Sequence, residues 1–466
     1  MVFSSVTFLF FFLPIFLLLY FLMPSIGLKN AVTLACSLLF YAWGEPFFVL
    51  LLVGSIAFSA WAGVAIDRRA GAARRWVLAA AVTANLALLA VFKYAGFVVE
   101  NLAWVLAPVG LALPRPELAL PLGISFFTFH ALSYLIDIYR RRFPANRNPV
   151  EVALYISLFP QLVAGPIVRY KTVARQLRRR RHTLGRASAG ARMAVIGLAQ
   201  KVLIADQLAP LAETVFDRIP HPSLIEAWAG LLAYTLQIYF DFAGYSTMAI
   251  GLGLVLGFTL PRNFALPYTA GSVTEFWRRW HISLSSWLRD YLYIPLGGSR
   301  GGAAATYRNL VTVFLVCGLW HGAGWTFLLW GAWHGAFLVL ERAGLGRVLA
   351  RMPVALGWAY TMAVVMGAWV LFRATDLDRA ATIYGALLGS GQRHGLSFTA
   401  HLALGPIATL ALIAGCLAAI LPRWLKPGGT DTAAAVADTG LVFGLLALAL
   451  LVVAAGTYSP FLYFRF

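Results

Sequence analysis

The chain has 466 residues, of which 61% are hydrophobic and only 12% charged. Soluble domains run at roughly 45–50% apolar and about a quarter charged, so this composition excludes a soluble globular protein and points to one built in a membrane. A net charge of +19 would suggest nucleic acid in a soluble chain, but the basic residues sit in short loops between apolar runs, as the positive-inside rule places them on a cytoplasmic face.

A membrane-crossing helix needs about 20 apolar residues, which leaves space for on the order of ten spans and for no large soluble domain. The expectation is an all-α, polytopic membrane protein forming a single integral-membrane domain over 1–466. Val2 to Met23 has almost no charge before its apolar run and no small-residue cleavage site, so it reads as a retained span. Further runs cover about 30–65, broken at Gly44-Glu45-Pro46, then 76–97, 122–139, 150–165, 190–210, 224–258, 307–342, 353–372, 402–421 and 440–456. Arg68, Arg69, Arg74 and Arg75 mark one cytoplasmic loop, and Arg140, Arg141 and Arg142 another. A third, Arg169 to Arg186, has eight basic residues and no acidic one. The run at 150–165 lies between two of these loops and contains Pro160, Gln161, Gly165 and Pro166. It is expected to dip into the membrane and return, with its broken backbone satisfied by protein or water. Arg342, Arg347 and Arg351, then Arg423 and Lys426, mark further cytoplasmic loops, which places both termini on the external face.

Ionisable groups inside apolar runs cost about 2.5–3.5 kcal/mol on insertion scales, so each is a functional candidate. His321 is the most conspicuous, near mid-membrane in Cys317-Gly318-Leu319-Trp320-His321-Gly322-Ala323-Gly324-Trp325. The glycines permit close approach of backbone or ligand, and Trp320 is one of the bulky apolar walls. A histidine bonded to a neighbouring helix is the competing explanation. His281 lies in Glu275 to Tyr293, where Trp277, Trp280, Leu284, Trp287, Leu288 and Tyr291 follow helical spacing, so the segment reads as one amphipathic surface helix with His281 on its buried face. Its arginines, Arg278 and Arg279 among them, suit either an interfacial anchor or phosphate binding. In the 224–258 run, Tyr234, Gln237, Asp241 and Tyr245 form a polar stripe that should face protein or a water-filled passage. His130, Ser133 and Asp137 make a weaker one. His334 ranks behind His321, and His182, His221, His394 and His401 read as solvated loop residues. Cys36, Cys317 and Cys416 lack CxxC spacing, so neither a disulfide framework nor a metal site is expected.

The run Phe264-Ala265-Leu266-Pro267-Tyr268 through Glu275-Phe276-Trp277-Arg278-Arg279-Trp280-His281 to Tyr291-Leu292-Tyr293-Ile294-Pro295-Leu296-Gly297-Gly298, followed by Gly318-Leu319-Trp320-His321-Gly322, resembles the membrane-bound O-acyltransferases. The match looks most like their bacterial alginate O-acetyltransferase branch. Pro121 to Phe129, Phe159 to Ile167 and Phe240 to Ser246 extend the resemblance to nearly the whole chain, with a core block at 261–342 holding both histidines. It implies about 11–13 membrane helices, re-entrant segments included, around a central tunnel. His321 matches the family's catalytic histidine and His281 the second histidine near the cytoplasmic mouth. Asp241, Gln237, Tyr245, Arg278, Arg279 and Trp320 are then tunnel or donor-binding candidates.

The activity implied is acyl transfer from a cytoplasmic thioester, acetyl-CoA or another acyl donor, to a hydroxyl, with no bound cofactor and no metal. A hydroxyl is a weak nucleophile at neutral pH and needs a base, which an imidazole of pKa near about 6.5 supplies. The expected setting is the bacterial inner membrane, with an extracytoplasmic polysaccharide acceptor, a periplasmic acetyltransferase partner, the lipid bilayer and no nucleic acid. The aromatic tail at 459–466 resembles one ending such envelope acyltransferases or their small partners, which makes Tyr463 a candidate acyl relay against the alternative of an interfacial aromatic belt. Competing readings are a flippase for an envelope precursor, peptidoglycan O-acetylation, and a scaffold recruiting a separate transferase.

Overall fold

The computed structural model describes residues 1–111, 113–114, 116, 118–390, 395–420 and 432–456, with 432–437 in backbone only. Arg423, Lys426, His394 and Tyr463 lie outside the described residues. Among the described residues there is no strand. Hydrocarbon offers backbone amides no partner, so an apolar chain satisfies them within each segment by forming helices. Among the described residues, seven helices are long and apolar enough to cross a bilayer.

In chain order the helices are α1 (Thr7–Leu22), α2 (Ile26–Gly44), α3 (Phe48–Asp67), α4 (Gly71–Leu106), α5 (Ile124–Tyr139), α6 (Pro149–Ser157), α7 (Phe159–Leu162), α8 (Tyr170–Arg178), α9 (Leu184–Arg218) and α10 (Leu224–Val255). Then come α11 (Val273–Arg279), α12 (Ile282–Leu288), α13 (Gly302–His321), α14 (Trp325–Leu340), α15 (Val354–Arg373), α16 (Leu377–Leu387), α17 (Pro406–Ile420) and α18 (Asp438–Ala454). The break between α2 and α3 falls at Gly44-Glu45-Pro46, as expected, because the residue before a proline is pushed out of helical backbone. Two compact units form, residues 1–194 with 248–261, and residues 195–247 with 262–466.

In the first unit α3 packs on α4 and α5, and α2 on α6. Tyr134 closes on α3 at Gly63, where an added Cβ would stand 2.7 Å from its ring. The stripe His130, Ser133 and Asp137 is fully buried. Ser133 bonds the Tyr155 hydroxyl at 3.0 Å, which ties α5 to α6, and Asp137 pairs with Arg142, just past the end of its own helix, at 3.1 Å. The expected break in the 150–165 run occurs at Leu158, between α6 and α7, and the freed Phe159 N–H donates to Ser37 Oγ on α2 at 3.1 Å. His182, expected in solvent, is instead half-buried, its Nε2 2.9 Å from the Tyr20 hydroxyl.

In the second unit, α13 and α14 form a hairpin whose backbones touch. A Cβ on Gly318 would stand 2.2 Å from Phe327 O, and one on Gly331 2.3 Å from Phe314 O. Where α10 meets α9, Gly244 similarly abuts Gly197 O. Just there α9 widens into a π-helical stretch, Gln200–Ala205, which carries Lys201. Lys201 Nζ lies 2.5 Å from Asp206 Oδ1 and 2.8 Å from Asp241 Oδ1, with all three side chains buried. The polar stripe of α10 thus faces protein, and its acid serves an ammonium on the next helix. At the far end of α9, Arg379 donates to the carbonyls of Val215, Phe216, Ile219 and Pro220, each within 2.7 Å, closing a helix terminus that would otherwise leave acceptors unpaired.

Two substitutions test these contacts. Gly331→Val should wedge the hairpin apart and lower stability by about 1–3 kcal/mol or more, read as a fall in the thermal midpoint of the purified protein. Lys201→Met leaves two buried carboxylates without their counter-charge and should cost about 3–5 kcal/mol. Asp206→Asn, which keeps the pair with Asp241, should lower the midpoint distinctly less.

Candidate active site

The segment Glu275 to Tyr293, expected as one amphipathic helix, is two short helices joined at Trp280-His281. Trp280 is extended, and His281 takes the left-handed conformation at φ 43°, ψ 52°. That conformation costs a side chain with a Cβ about 1–3 kcal/mol and persists only where surroundings impose it. The strand of chain at 263–265 imposes it here. Ala265 N–H donates to Arg279 O and Ile282 N–H to Asn263 O, both at 2.9 Å, clamping the corner from both sides. The burial of His281 therefore comes from this corner and not from helical periodicity.

The N-terminus of α11 is fixed twice. Ser272 caps it by accepting from Glu275 N at 3.0 Å. The carboxylate of Glu341, just past α14, accepts from Val273 N at 2.7 Å, Thr274 N at 2.9 Å and Thr274 Oγ1 at 2.5 Å. An anion at exposed helix amides is a favourable arrangement, and it binds the end of the hairpin to the helix that leads to His281.

His281 is 1% exposed. Its ring meets Phe242 edge-on at 4.7 Å and Trp320 at 6.2 Å, and its Nδ1 lies 3.1 Å from Asn263 Oδ1. Burial pushes its pKa far down, to about 3, so it is a neutral imidazole at physiological pH. His321 ends α13 and is 6% exposed. Its ring lies 4.8 Å from Trp320, 5.1 Å from Trp330 and 5.0 Å from Phe372, all near edge-on. Trp320 thus contacts both histidines, which stand 40 residues apart in sequence.

A third imidazole, His334 on α14, is fully buried. Trp277 Nε1–H donates to its Nδ1 at 3.3 Å, so its own hydrogen must sit on Nε2, which has no partner among the described residues. Its ring lies 5.0 Å from Trp330, the same indole that His321 meets. His334 ranks second in the sequence because it lies thirteen residues after His321, on a different face of a helix, and position along a helix does not show that Trp277 reaches it. Asn263 and Glu341 were missed outright. The only available signal was the position of Asn263 directly before the Phe264 to Tyr268 run.

The remaining candidates divide. Gln237, Asp241 and Tyr245 are buried on α10, with Asp241 on Lys201. Arg279 pairs with Glu275 and donates to Thr269 Oγ1 at 2.9 Å, so it braces the loop before α11. Arg278 is exposed and makes no ion pair among the described residues. A cavity of about 550 Å³ opens beside Thr269, Ser272, Thr274, Glu275, Glu341 and Arg342, and none of the three imidazoles lines it. Among the described residues no cluster of His, Cys, Asp and Glu could hold a metal. What the site offers is three buried imidazoles set among aromatic rings.

Residues 118–375 match the model of the membrane-bound O-acyltransferase family. A relative in Azotobacter vinelandii, described as a "Probable alginate O-acetylase", is 42% identical over 502 aligned positions covering 100% of both chains. A protein of the same description in Pseudomonas putida is 44% identical over 490 positions, again covering 100% of each. A Peptidoglycan O-acetyltransferase of Helicobacter pylori is 38% identical, over 84% of this chain and 80% of its own length. With the family model spanning the corner, the hairpin and both histidines, this multi-pass membrane enzyme is an O-acyltransferase and belongs to the membrane-bound O-acyltransferase family.

Proposed function

We propose that the protein transfers an acetyl group from a cytoplasmic thioester, acetyl-CoA as the simplest donor, to a hydroxyl destined for an extracytoplasmic polysaccharide of the alginate type. The observation that carries this reading is the meeting of His281 and His321 on one indole, Trp320, inside an aromatic core. The relatives described as alginate O-acetylases, similar over their full length, point to the acceptor class. The peptidoglycan enzyme of Helicobacter pylori supports peptidoglycan as the second acceptor to try.

His321 is the base. The acceptor O–H proton passes to its imidazole as the new C–O bond forms at the thioester carbonyl. The C–S bond then breaks, and the thiolate takes a proton as it leaves. The indoles and phenyl rings around the imidazoles exclude water, which strengthens these charge movements and suppresses hydrolysis of the thioester. Arg278, exposed and making no ion pair among the described residues, attracts the donor phosphates. Trp320 orders the two imidazoles, and Gln237, Asp241 and Tyr245 belong to the polar lining of the helix beside them. The membrane is the bacterial inner membrane, with both termini outside. Tyr463 serves as an acyl relay toward a periplasmic transferase that completes the transfer.

In nanodiscs with radiolabelled acetyl-CoA and a panel of polysaccharides, the protein should move label onto a hydroxyl. His321→Ala should lower that rate on the order of 10²–10⁴-fold while the protein stays folded in the nanodisc. Full activity in that variant removes the histidine-base reading, and movement of an unmodified precursor without label consumption would favour a flippase. With the final acceptor withheld, mass spectrometry should find acetyl on Tyr463, and none in Tyr463→Phe.

A further inference from the structure

His281 and Asn263 are both 1% exposed, and their contact is chemically one-directional. Asn263 Oδ1 accepts from the backbone N–H of Ser283 at 3.2 Å and from Ser283 Oγ at 2.9 Å. A backbone N–H can only donate. It therefore fixes which way the Asn263 amide faces, because the reversed amide would set two donors against each other. The third neighbour of that oxygen is His281 Nδ1, at 3.1 Å. An amide oxygen has no hydrogen to give, so the hydrogen of this bond belongs to the imidazole. We infer that Asn263 is a positioning residue that locks His281 in its Nδ1–H tautomer and so presents a bare Nε2 lone pair to the reactants.

This rests on the acyl-transfer reading of the site and narrows it. A resting Nε2 lone pair accepts a hydrogen bond or a proton. It cannot donate one to the thioester carbonyl, so His281 faces a donor group on a substrate: a hydroxyl, a thiol or an amide N–H. The structure leaves it open for that purpose, since Nε2 has no partner among the described residues. An unpaired buried acceptor destabilises the folded protein. Asn263 Nδ2 is buried without a partner as well. His334 is set in the opposite sense by Trp277, its Nδ1 accepting and its Nε2 carrying the hydrogen. The site thus holds one imidazole preset to accept and one preset to donate.

Asn263 also caps α12 through Ser283, so loss of activity on its removal would not separate positioning from scaffolding. Asn263→Asp does separate them. A carboxylate keeps both bonds to Ser283 and the bond to Nδ1, while its charge stabilises the imidazolium form. Protonation of His281 destroys the accepting lone pair, and the pH at which this happens is read on the ring itself. In Asn263→Asp the pH at which the His281 ¹⁵N signals pass from the neutral to the protonated form should rise by about one unit or more. An unchanged His281 titration in Asn263→Asp would overturn the inference. Histidine ¹⁵N NMR of the labelled full chain in bilayers gives a readout independent of turnover, with the His281 signals identified by their loss in His281→Gln. The parent should show Nδ1 protonated and Nε2 bare, and Asn263→Leu should show a mixture of tautomers. An Nε2–H form in the parent would overturn the inference while leaving label transfer, and hence the acyltransferase reading, intact. A parent that transfers no label but shows the Nδ1–H form would sink that reading and keep the tautomer assignment.

Discussion

Two helices touch backbone to backbone at Gly318 and Gly331, and the placement of His321 and His334 leans on that contact. Because α13 and α14 approach so closely, His321 at the end of one and His334 within the other both reach Trp330, at 5.1 and 5.0 Å. A side chain larger than hydrogen at either glycine would separate the helices and withdraw one ring from the other's neighbourhood. Small residues are the usual means by which helices approach in a membrane, where lipid supplies no hydrophobic drive between them. Here they set the spacing of His321 and His334.

The second constraint is that polar groups in an apolar surround must find one another. Lys201 with its two carboxylates, Glu341 on the amides of α11, and Arg379 on four carbonyls answer it with protein partners. His281 Nε2 and His334 Nε2 are exceptions, buried without partners among the described residues. Unsatisfied groups of this kind tend to mark the places where a molecule has been built for something other than stability.

Much of the fold was legible in the sequence because hydrocarbon imposes one secondary structure on any long apolar run. The break at Gly44-Glu45-Pro46, the interruption near Pro160 and the burial of the Tyr234 to Tyr245 stripe all follow from residue types alone. The corner at His281 did not. Helical spacing of tryptophans and leucines continues across it, and the backbone departs from the helix because the 263–265 segment, remote in the pattern, pairs with both sides. Asn263 was invisible for the same reason, since its role depends on which backbone amide faces it. His321 stood out through its setting of glycines and tryptophans, whereas His334 gained its definition only from the indole N–H of Trp277.

The carboxylate of Glu341 joins the end of the hairpin to the start of α11, which runs on to the corner holding His281. Chain, carboxylate and helix therefore make a closed frame with His321 on one member and His281 on another. Pulling one ring away from the other would require breaking three bonds at Glu341 or parting the glycine contact. Such a frame fixes the two rings relative to each other, with the indole of Trp320 lying against both.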